Sequence, residues 1–321
     1  MKILYLSSSE IGVKVFDALF SSHQIVGVIT APDKPRGRSK VLVPSPIAKA
    51  AAEKNIEVFK VDKLDADFIK ELKKKEIDYF ITFSFGLILK KDFFDVSKYG
   101  GINIHPSMLP DLRGPSPIQS AILQGYKKSG ITVQKMALKV DSGDIVLQRE
   151  FDIEDDDDAL SIEEKVSVMA SMMITESLSG LADERIIPQP QDSSKATYCK
   201  MFKKEDGGLN WDEKAENIIN RIRASVKWPI AYSFIDNNRI NIYKASINKN
   251  YTIDDFRDYE NGKIIFADKS NGILVKSSDF LINLLSLQQS GKKLLNWKDF
   301  LNGYRNLSDK KFIGVSDETV C

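Results

Sequence analysis

The sequence contains few of the residues on which metal centres and disulfide frameworks depend. Its 321 residues include two histidines and two cysteines, and Cys199 and Cys321 lie far apart. Because zinc sites and disulfide scaffolds need closely spaced ligands or many cysteines, we expect two free thiols and no zinc site. A glycine-rich dinucleotide loop is also missing, so no metal or nucleotide cofactor is implied.

Long apolar runs are missing as well. No run approaches the roughly 20 residues that cross a bilayer, and the first residues, MKILYLSS, follow a strand pattern without the basic region and cleavage site of a signal peptide. With 42% hydrophobic residues the chain is nevertheless able to bury a core and form two domains. We expect a cytoplasmic, monomeric protein of enzyme size with no membrane attachment.

Net charge is small, at +1, but it is unevenly distributed. Residues 151–199 contain 3 basic and 12 acidic side chains, whereas residues 200–321 contain 20 basic and 16 acidic ones. Basic ends of this kind suit a polyanionic partner. The acidic run 154–158 lacks the glycine and terminal glutamate of a calcium loop, so we interpret it as a solvated turn.

Short β-branched runs alternate with amphipathic segments over the first 150 residues. Strand-like runs occupy 2–6, 25–30, 57–61, 78–83, 101–104, 131–136 and 144–150, and helix-like segments occupy 10–20, 46–55 and 66–75. This alternation predicts an α/β fold with a doubly wound, mostly parallel sheet. In such folds the ligand crevice lies at the carboxyl ends of the strands.

The second half of the sequence has a different pattern. We predict a catalytic domain at 1–188, a polar linker at 189–206 and a second domain at 207–321. Alternating runs such as AYSFI, RINIYKA and GILVKS are separated by turn residues in this last part. They predict a small antiparallel barrel.

One predicted strand end, GINIHPSMLP at 101–110, combines polar and apolar residues in alternation. Asn103 and His105 would share one face of the strand. An amide can donate to an oxygen that gains negative charge, and Asp141, in a predicted loop, could orient the imidazole. Ser107 lacks the sharp turn of a hydrolase nucleophile. The set favours direct transfer of an acyl group to an incoming nucleophile.

These motifs together resemble the folate-dependent formyltransferases. The family pattern is Asn-x-His, Ser-Leu-Leu-Pro, Arg-Gly and an Asp-x-Gly loop, and this sequence has GINIHPSMLPDLRG followed by DSGDIV. The similarity extends over nearly the whole chain, for example in APDKPRGRSKVLVPSPIAKAA and KATYCKMFKKEDGGLNW, and is greatest to members that act on methionyl initiator tRNA. It implies a Rossmann-like formyltransferase fold with an OB-like C-terminal barrel.

The resemblance also implies roles for particular residues. Asn103, His105 and Asp141 match the catalytic positions. The positions expected to contact folate are Ser107, Met108, Leu109, Pro110 and Gly86. Methionine replaces the family's usual leucine at 108, a nearly isosteric change. The implied reaction transfers the formyl group of 10-formyltetrahydrofolate, as co-substrate, to the α-amino group of methionyl initiator tRNA for translation initiation.

Two groups of basic residues are candidates for phosphate contacts with this tRNA. The loop 32–49 follows the second predicted strand and would overhang the same crevice as His105, and the resemblance makes Arg38 its key arginine. A solvated surface loop is the alternative. The predicted tRNA contacts are Lys34, Arg36, Arg38, Lys40, Lys203, Lys204, Lys292 and Lys293.

Other functions stay open at this point. The same Asn-His-Asp set serves glycinamide ribonucleotide formyltransferase, sugar-nucleotide formyltransferases and formyltetrahydrofolate hydrolase domains. The first lacks a C-terminal barrel, and the others usually belong to longer chains. An RNA-binding module with a vestigial active site is a further alternative, against which the intact Asn103, His105 and Asp141 argue.

Overall fold

The computed structural model describes residues 1–36, 41–304 and 306–315. Within these ranges the chain forms two compact units. The first consists of residues 1–117, 128–152 and 162–199, and the second of residues 118–127, 153–161 and 200 onward.

The first unit is built around a seven-stranded sheet. The strands of this unit are β1 Lys2–Leu6, β2 Gln24–Thr30, β3 Lys34–Arg36, β4 Val41–Val43, β5 Val58–Lys60, β6 Tyr79–Thr82, β7 Gly101–His105, β8 Lys128–Lys135 and β9 Ile145–Asp152. The sheet order is β5-β2-β1-β6-β7-β8-β9, and β3 and β4 form a separate antiparallel ladder. Pairing is parallel from β5 to β7 and antiparallel from β7 to β9. The sheet therefore changes direction at β7.

Helices alternate with these strands. They are α1 Val13–Ser22, α2 Pro46–Glu53, α3 Ala66–Lys73, α4 Lys91–Phe94, α5 Pro117–Leu123 and α6 Ala159–Ala182. Ser45 accepts a hydrogen bond from Ala48 N at the start of α2, and Asp65 accepts one from Phe68 N at the start of α3. These side chains satisfy N–H groups that have no partner inside a helix, so they fix where the two helices begin.

The core of the first unit includes β1 and β6. Leu4, Leu6 and Phe80 are fully buried, and Phe80 meets Phe93 edge-on with ring centroids 5.1 Å apart. Each such side chain contributes about 1.5–3 kcal/mol through burial. Gly101 begins β7 beside this ring, and a Cβ there would lie 2.2 Å from Phe80 Cε2. Glycine is therefore required for β7 to approach β6 at this point.

The second unit contains an antiparallel sheet. Its strands are β10 Ala231–Ile235, β11 Asn238–Asn248, β12 Ile264–Asp268, β13 Gly272–Lys276, β14 Leu281–Gln289 and β15 Leu295–Asn296, and its further helices are α7 Ala215–Ser225 and α8 Trp297–Gly303. The order is β10-β11-β14-β13-β12, with β15 added to β14. Trp211 is buried in this core, where its Nε1 donates to Ser233 Oγ at 3.0 Å and its ring lies 5.3 Å from that of Phe312.

The predicted mostly parallel α/β sheet and the predicted antiparallel strands of the C-terminal region are confirmed. The strand predicted at 131–136 begins three residues earlier, at Lys128, because β8 pairs with β9 from Lys128 onward. Among the helices of the described ranges, none combines the length and apolar character that a membrane span needs. The same ranges contain no group of three or more His, Cys, Asp or Glu side chains that could hold a metal ion.

The segment predicted as a linker makes specific contacts within the first unit. Ile145 and Gln189 exchange two backbone hydrogen bonds of 2.7 and 2.8 Å, and Cys199 N donates to Arg113 O at 2.8 Å. Residues as far as 199 belong to the first compact unit. The domain boundaries at 188 and 207 stay predictions, and the structure adds that 189–199 is an ordered part of the first unit.

Candidate active site

Polar side chains from three neighbouring strands form a row at the end of the parallel part of the sheet. Asn103 of β7 pairs in register with Thr82 of β6 on one side and with Gln134 of β8 on the other. Residues paired in register present their side chains on the same face of a sheet. A hydroxyl and two amides therefore lie side by side, and His105 follows two residues later along β7.

The amide orientation of Asn103 is determined by its partners. Its Nδ2 lies 3.3 Å from Asp141 Oδ1 and must be the donor, because an ionised carboxylate only accepts. Its Oδ1 faces Thr82, whose hydroxyl donates at 2.7 Å. Thr82 thus fixes which end of the Asn103 amide is Nδ2 and places this nitrogen beside the carboxylate.

His105 is buried at the end of β7, with 4% of its surface exposed. Its Nε2 lies 2.9 Å from Leu112 O. A carbonyl oxygen only accepts, so Nε2 carries a hydrogen and donates it to Leu112 O. Nδ1 lies 3.6 Å from Asp141 Oδ1, which is longer than a direct hydrogen bond.

Asp141 lies in the loop between β8 and β9 with a left-handed backbone, at φ +52°. Its Oδ2 accepts from Gly114 N at 2.9 Å, and its Oδ1 accepts from Gln134 Nε2 at 3.1 Å in addition to Asn103. Three N–H groups therefore donate to the two carboxylate oxygens and fix the orientation of this side chain. The structure brings Asn103, His105 and Asp141 together, and their catalytic roles stay predictions.

The turn predicted to contact folate, residues 107–110, is held by side chains of β8 and β9. Thr132 Oγ1 donates to Ser107 O at 2.7 Å and accepts from Leu109 N at 3.0 Å. Gln148 Nε2 donates to Leu109 O at 2.8 Å. The turn is therefore fixed through its main chain, independently of any ligand.

The predicted folate contacts differ in exposure. Ser107 and Leu109 are buried, whereas Met108 and Pro110 are partly exposed. Gly86 is exposed, and open space lies where a side chain would begin. Within this predicted set, Met108, Pro110 and Gly86 are the positions that a ligand can reach.

The predicted tRNA contacts are distributed over both units. Lys34 and Arg36 belong to β3, and Lys34 is exposed. Arg38 and Lys40 lie outside the described residues. The other four are exposed residues of the second unit: Lys203, Lys204, Lys292 and Lys293.

Sequence reasoning missed several residues that contact the predicted catalytic set. Thr82 and Gln134 lie on neighbouring strands, and only the pairing register shows that they face Asn103. Gln191 lies in the predicted linker, and its amide reaches Asp141 O at 3.0 Å. Arg113 of the Arg-Gly motif does not touch the catalytic set but donates to Gln191; it is 1% exposed, and its guanidinium lowers the pKa of the neighbouring Tyr198 phenol. Period-two alternation could have suggested Gln134, but no sequence signal indicated Gln191.

Known protein families provide an independent comparison. The formyl transferase family matches residues 1–178, and the C-terminal domain of formyl transferases matches residues 201–305. The chain belongs to the formyl transferase family. This formyl transferase is 41% identical over 312 residues to the methionyl-tRNA formyltransferase of Borrelia hermsii, a match that covers 97% of this chain and 100% of the relative.

Solved structures of other proteins share the fold. The methionyl-tRNA formyltransferase of Clostridium thermocellum is similar with a TM-score of 0.55 at 20% identity, over 78% of this chain and 95% of that one. HypX of Aquifex aeolicus in complex with tetrahydrofolic acid gives a TM-score of 0.66 at 16% identity, over 94% of this chain. This formyl transferase spans about half the length of HypX, since the match covers 47% of that chain.

Proposed function

We propose that this formyl transferase moves the formyl group of 10-formyltetrahydrofolate to the α-amino group of methionyl initiator tRNA, producing N-formylmethionyl-tRNA for translation initiation. The observation that carries the proposal is the cluster of Asn103, His105 and Asp141 at the end of β7, in a chain 41% identical to a methionyl-tRNA formyltransferase. We further propose that the enzyme acts as a cytoplasmic monomer.

Asn103 has the role of stabilising the transition state. When the amine attacks the formyl carbon, a C–N bond forms and negative charge develops on the formyl oxygen. Asn103 Nδ2 carries two hydrogens, of which one is directed to Asp141. We assign the other to the formyl oxygen. A donor held in place by Thr82 needs little rearrangement during the reaction, which is the basis of oxyanion stabilisation.

His105 and Asp141 have the role of moving one proton. The amine must lose a proton as the new bond forms, and N10 of the folate must gain one as the old bond breaks. A free α-amino group has a pKa of roughly 7.7–8.0, so a neutral fraction exists near pH 7. Asp141 Oδ1 and His105 Nδ1, 3.6 Å apart, form a pair that can accept this proton and return it to N10.

A direct assay tests the proposal. The protein is mixed with 10-formyltetrahydrofolate and methionyl initiator tRNA, and N-formylmethionine is sought after ester hydrolysis. Matched reactions use tRNA whose α-amino group is acetylated, an amino sugar nucleotide, or glycinamide ribonucleotide. We expect product only with the free methionyl-tRNA. Absence of formylmethionine, or faster formylation of another acceptor, would contradict the proposal.

Binding of the tRNA is assigned to the exposed lysines of the second unit and to the basic segment 32–49, in which Lys34 belongs to β3. Each lysine that contacts a phosphate releases counterions, which steepens the salt dependence of binding. Replacing both Lys292 and Lys293 with glutamine should make the negative slope of log K against log salt shallower by about 2, at about 0.9 for each contact. A slope unchanged by the double substitution, or a flat response in the wild type, would remove these lysines from the interface.

A further inference from the structure

We infer that Gln191 is a positioning residue for Asp141, and that the segment 189–199 holds the active site rather than only connecting domains. The inference rests on the proposed catalytic role of Asp141. Gln191 does not touch the catalytic carboxylate itself. Gln191 binds the loop that carries this carboxylate, and it also binds the side chain of Gln134. Gln134 in turn donates a hydrogen bond to the carboxylate of Asp141.

The donors and acceptors around Gln191 leave one arrangement of its amide. Arg113 Nε and Nη2 lie 3.2 and 2.6 Å from one end of the amide, and a guanidinium only donates, so this end is Oε1. The other end lies 3.0 Å from Asp141 O and 2.7 Å from Gly143 O. Carbonyl oxygens only accept, so this end is Nε2. The amide therefore cannot be flipped, because its oxygen would then face carbonyl oxygens and its NH₂ group would face the guanidinium.

Gln134 continues this network to the carboxylate. Gln191 Nε2 also lies 3.3 Å from Gln134 Oε1, and Gln134 Nε2 donates to Asp141 Oδ1 at 3.1 Å. Gln134 is 2% exposed, so its amide has little access to water as an alternative partner. A chain of hydrogen bonds thus runs from the buried Arg113 through Gln191 and Gln134 to the carboxylate of Asp141. Each hydrogen bond orients the amide group that makes the next one.

The loop that Gln191 binds has a backbone that needs external support. Asp141 has φ +52°, in the left-handed region of backbone conformations that residues other than glycine rarely adopt. Two residues later the loop approaches β8 so closely that a Cβ on Gly143 would lie 1.7 Å from Lys135 O. Conformations of this kind persist where surrounding contacts determine them. Gln191 supplies such contacts to the carbonyl groups of both Asp141 and Gly143.

Gln191 is itself held on both sides. Backbone hydrogen bonds join Gln189 to Ile145 at the start of β9, and Cys199 to Arg113. Thr197 Oγ1 accepts from Leu112 N at 2.8 Å, and Leu112 O in turn receives the hydrogen of His105 Nε2. The segment therefore contacts the supports of both His105 and Asp141, which is more than a flexible connection would require.

The substitution Gln191→Glu tests the inference with minimal change in shape. It retains acceptors for Arg113 but places a carboxylate oxygen against the carbonyl groups of Asp141 and Gly143. The matched control is Gln189→Glu, two residues away, where the exposed side-chain amide donates to Ile187 O. We expect Gln191→Glu to lower kcat for formylation by about 10–100-fold, by analogy with the loss of residues that orient metal ligands in metalloenzymes. KM for the folate should change little, and the control should match wild type in kcat, KM and Tm.

A double-mutant cycle separates positioning from general structural support. If Gln191 acts through Asp141, then Gln191→Glu should have no further effect on kcat in an Asp141→Ala background. Equal losses in both backgrounds, a kcat within twofold of wild type, or a matching loss in Gln189→Glu would overturn the inference. If Gln191→Glu does not fold, Gln191→Leu replaces it, because leucine removes the donors without adding charge.

A second measurement is independent of formylation. Hydrogen exchange of the peptide that spans 137–144 should be faster in Gln191→Glu than in wild type or in Gln189→Glu, because the loop loses its support. If the wild type forms no formylmethionyl-tRNA, the proposed function fails while this experiment still decides whether Gln191 holds the loop. Unchanged exchange in Gln191→Glu would overturn the inference regardless of activity.

Discussion

Replacing Asp141 with asparagine removes the charge of the proposed proton acceptor with almost no change in shape. In the wild type, Oδ1 receives N–H groups from Asn103 and Gln134, and Oδ2 receives the N–H of Gly114. An asparagine has only one oxygen, so one of these two sides must face an NH₂ group. The oxygen should take the side with two donors, which leaves Gly114 N without an acceptor.

The structure gives a magnitude for both effects of Asp141→Asn. Gly114 N is only partly buried, so leaving it without an acceptor should lower the free energy of unfolding by about 1 kcal/mol, the low end of the range for buried groups. Loss of a general acid–base group typically lowers the rate by about 10²–10⁴-fold. Because Asn103 keeps its acceptor in the favoured orientation, the oxyanion donor stays in place. The rate loss should therefore come from proton transfer.

Single-turnover formylation with excess enzyme measures the rate of Asp141→Asn, and urea unfolding measures its stability. The control is Asp144→Asn in the same loop, where the side chain is exposed. We expect the control to retain wild-type values in both assays. A rate for Asp141→Asn within tenfold of wild type, in a folded protein, would refute the assignment of Asp141 as the proton acceptor.

Three further predictions follow from individual contacts. Thr82→Val removes the donor to Asn103 Oδ1, worth about 1 kcal/mol, and should lower kcat about fivefold without changing the KM for the tRNA; an unchanged kcat would show that Asn103 needs no orienting partner. Trp211→Phe removes a buried ring and its N–H, and should lower the free energy of unfolding by about 1–3 kcal/mol in urea titrations, whereas no change would mean that the core closes around the smaller ring. Burial lowers the pKa of His23 below its usual value of about 6.5, so the folded state binds this proton less readily than the unfolded state. Stability should therefore be complete above about pH 6.5 and decrease as the pH falls below it. In His23→Asn, the Tm should decrease less at low pH than in wild type. An identical dependence of Tm on pH in the two proteins would contradict the attribution of this decrease to His23.

Local sequence patterns predicted the parts of the fold that depend on them. Alternation of apolar and polar residues placed Asn103 and His105 on one face of β7, and β-branched runs located β1, β2 and β6 to within one or two residues. The antiparallel strands of the second unit were also predictable from their turns. Each of these features is determined within about ten residues of chain.

Contacts between segments that are distant in sequence could not be predicted from local patterns. Thr82 and Gln134 contact Asn103 or Asp141 because of the register of β6, β7 and β8, and register is a property of three strands together. Residues 189–199 have no periodicity, since their polar side chains bind individual loop atoms rather than one face of an element. Polar composition alone therefore predicted a linker, although Gln191 and Thr197 hydrogen-bond the loops on either side of the site.

The position of the segment 189–199 at the end of the first unit has a consequence for synthesis of the protein. A nascent chain that ends before residue 189 already contains Asn103, His105 and Asp141, but it lacks Gln191 and Thr197. Gln191 and Thr197, which fix the Asp141 loop and Leu112, are thus synthesised after the other residues of the active site. Formylation activity should therefore appear late in translation, after the sheet has been made.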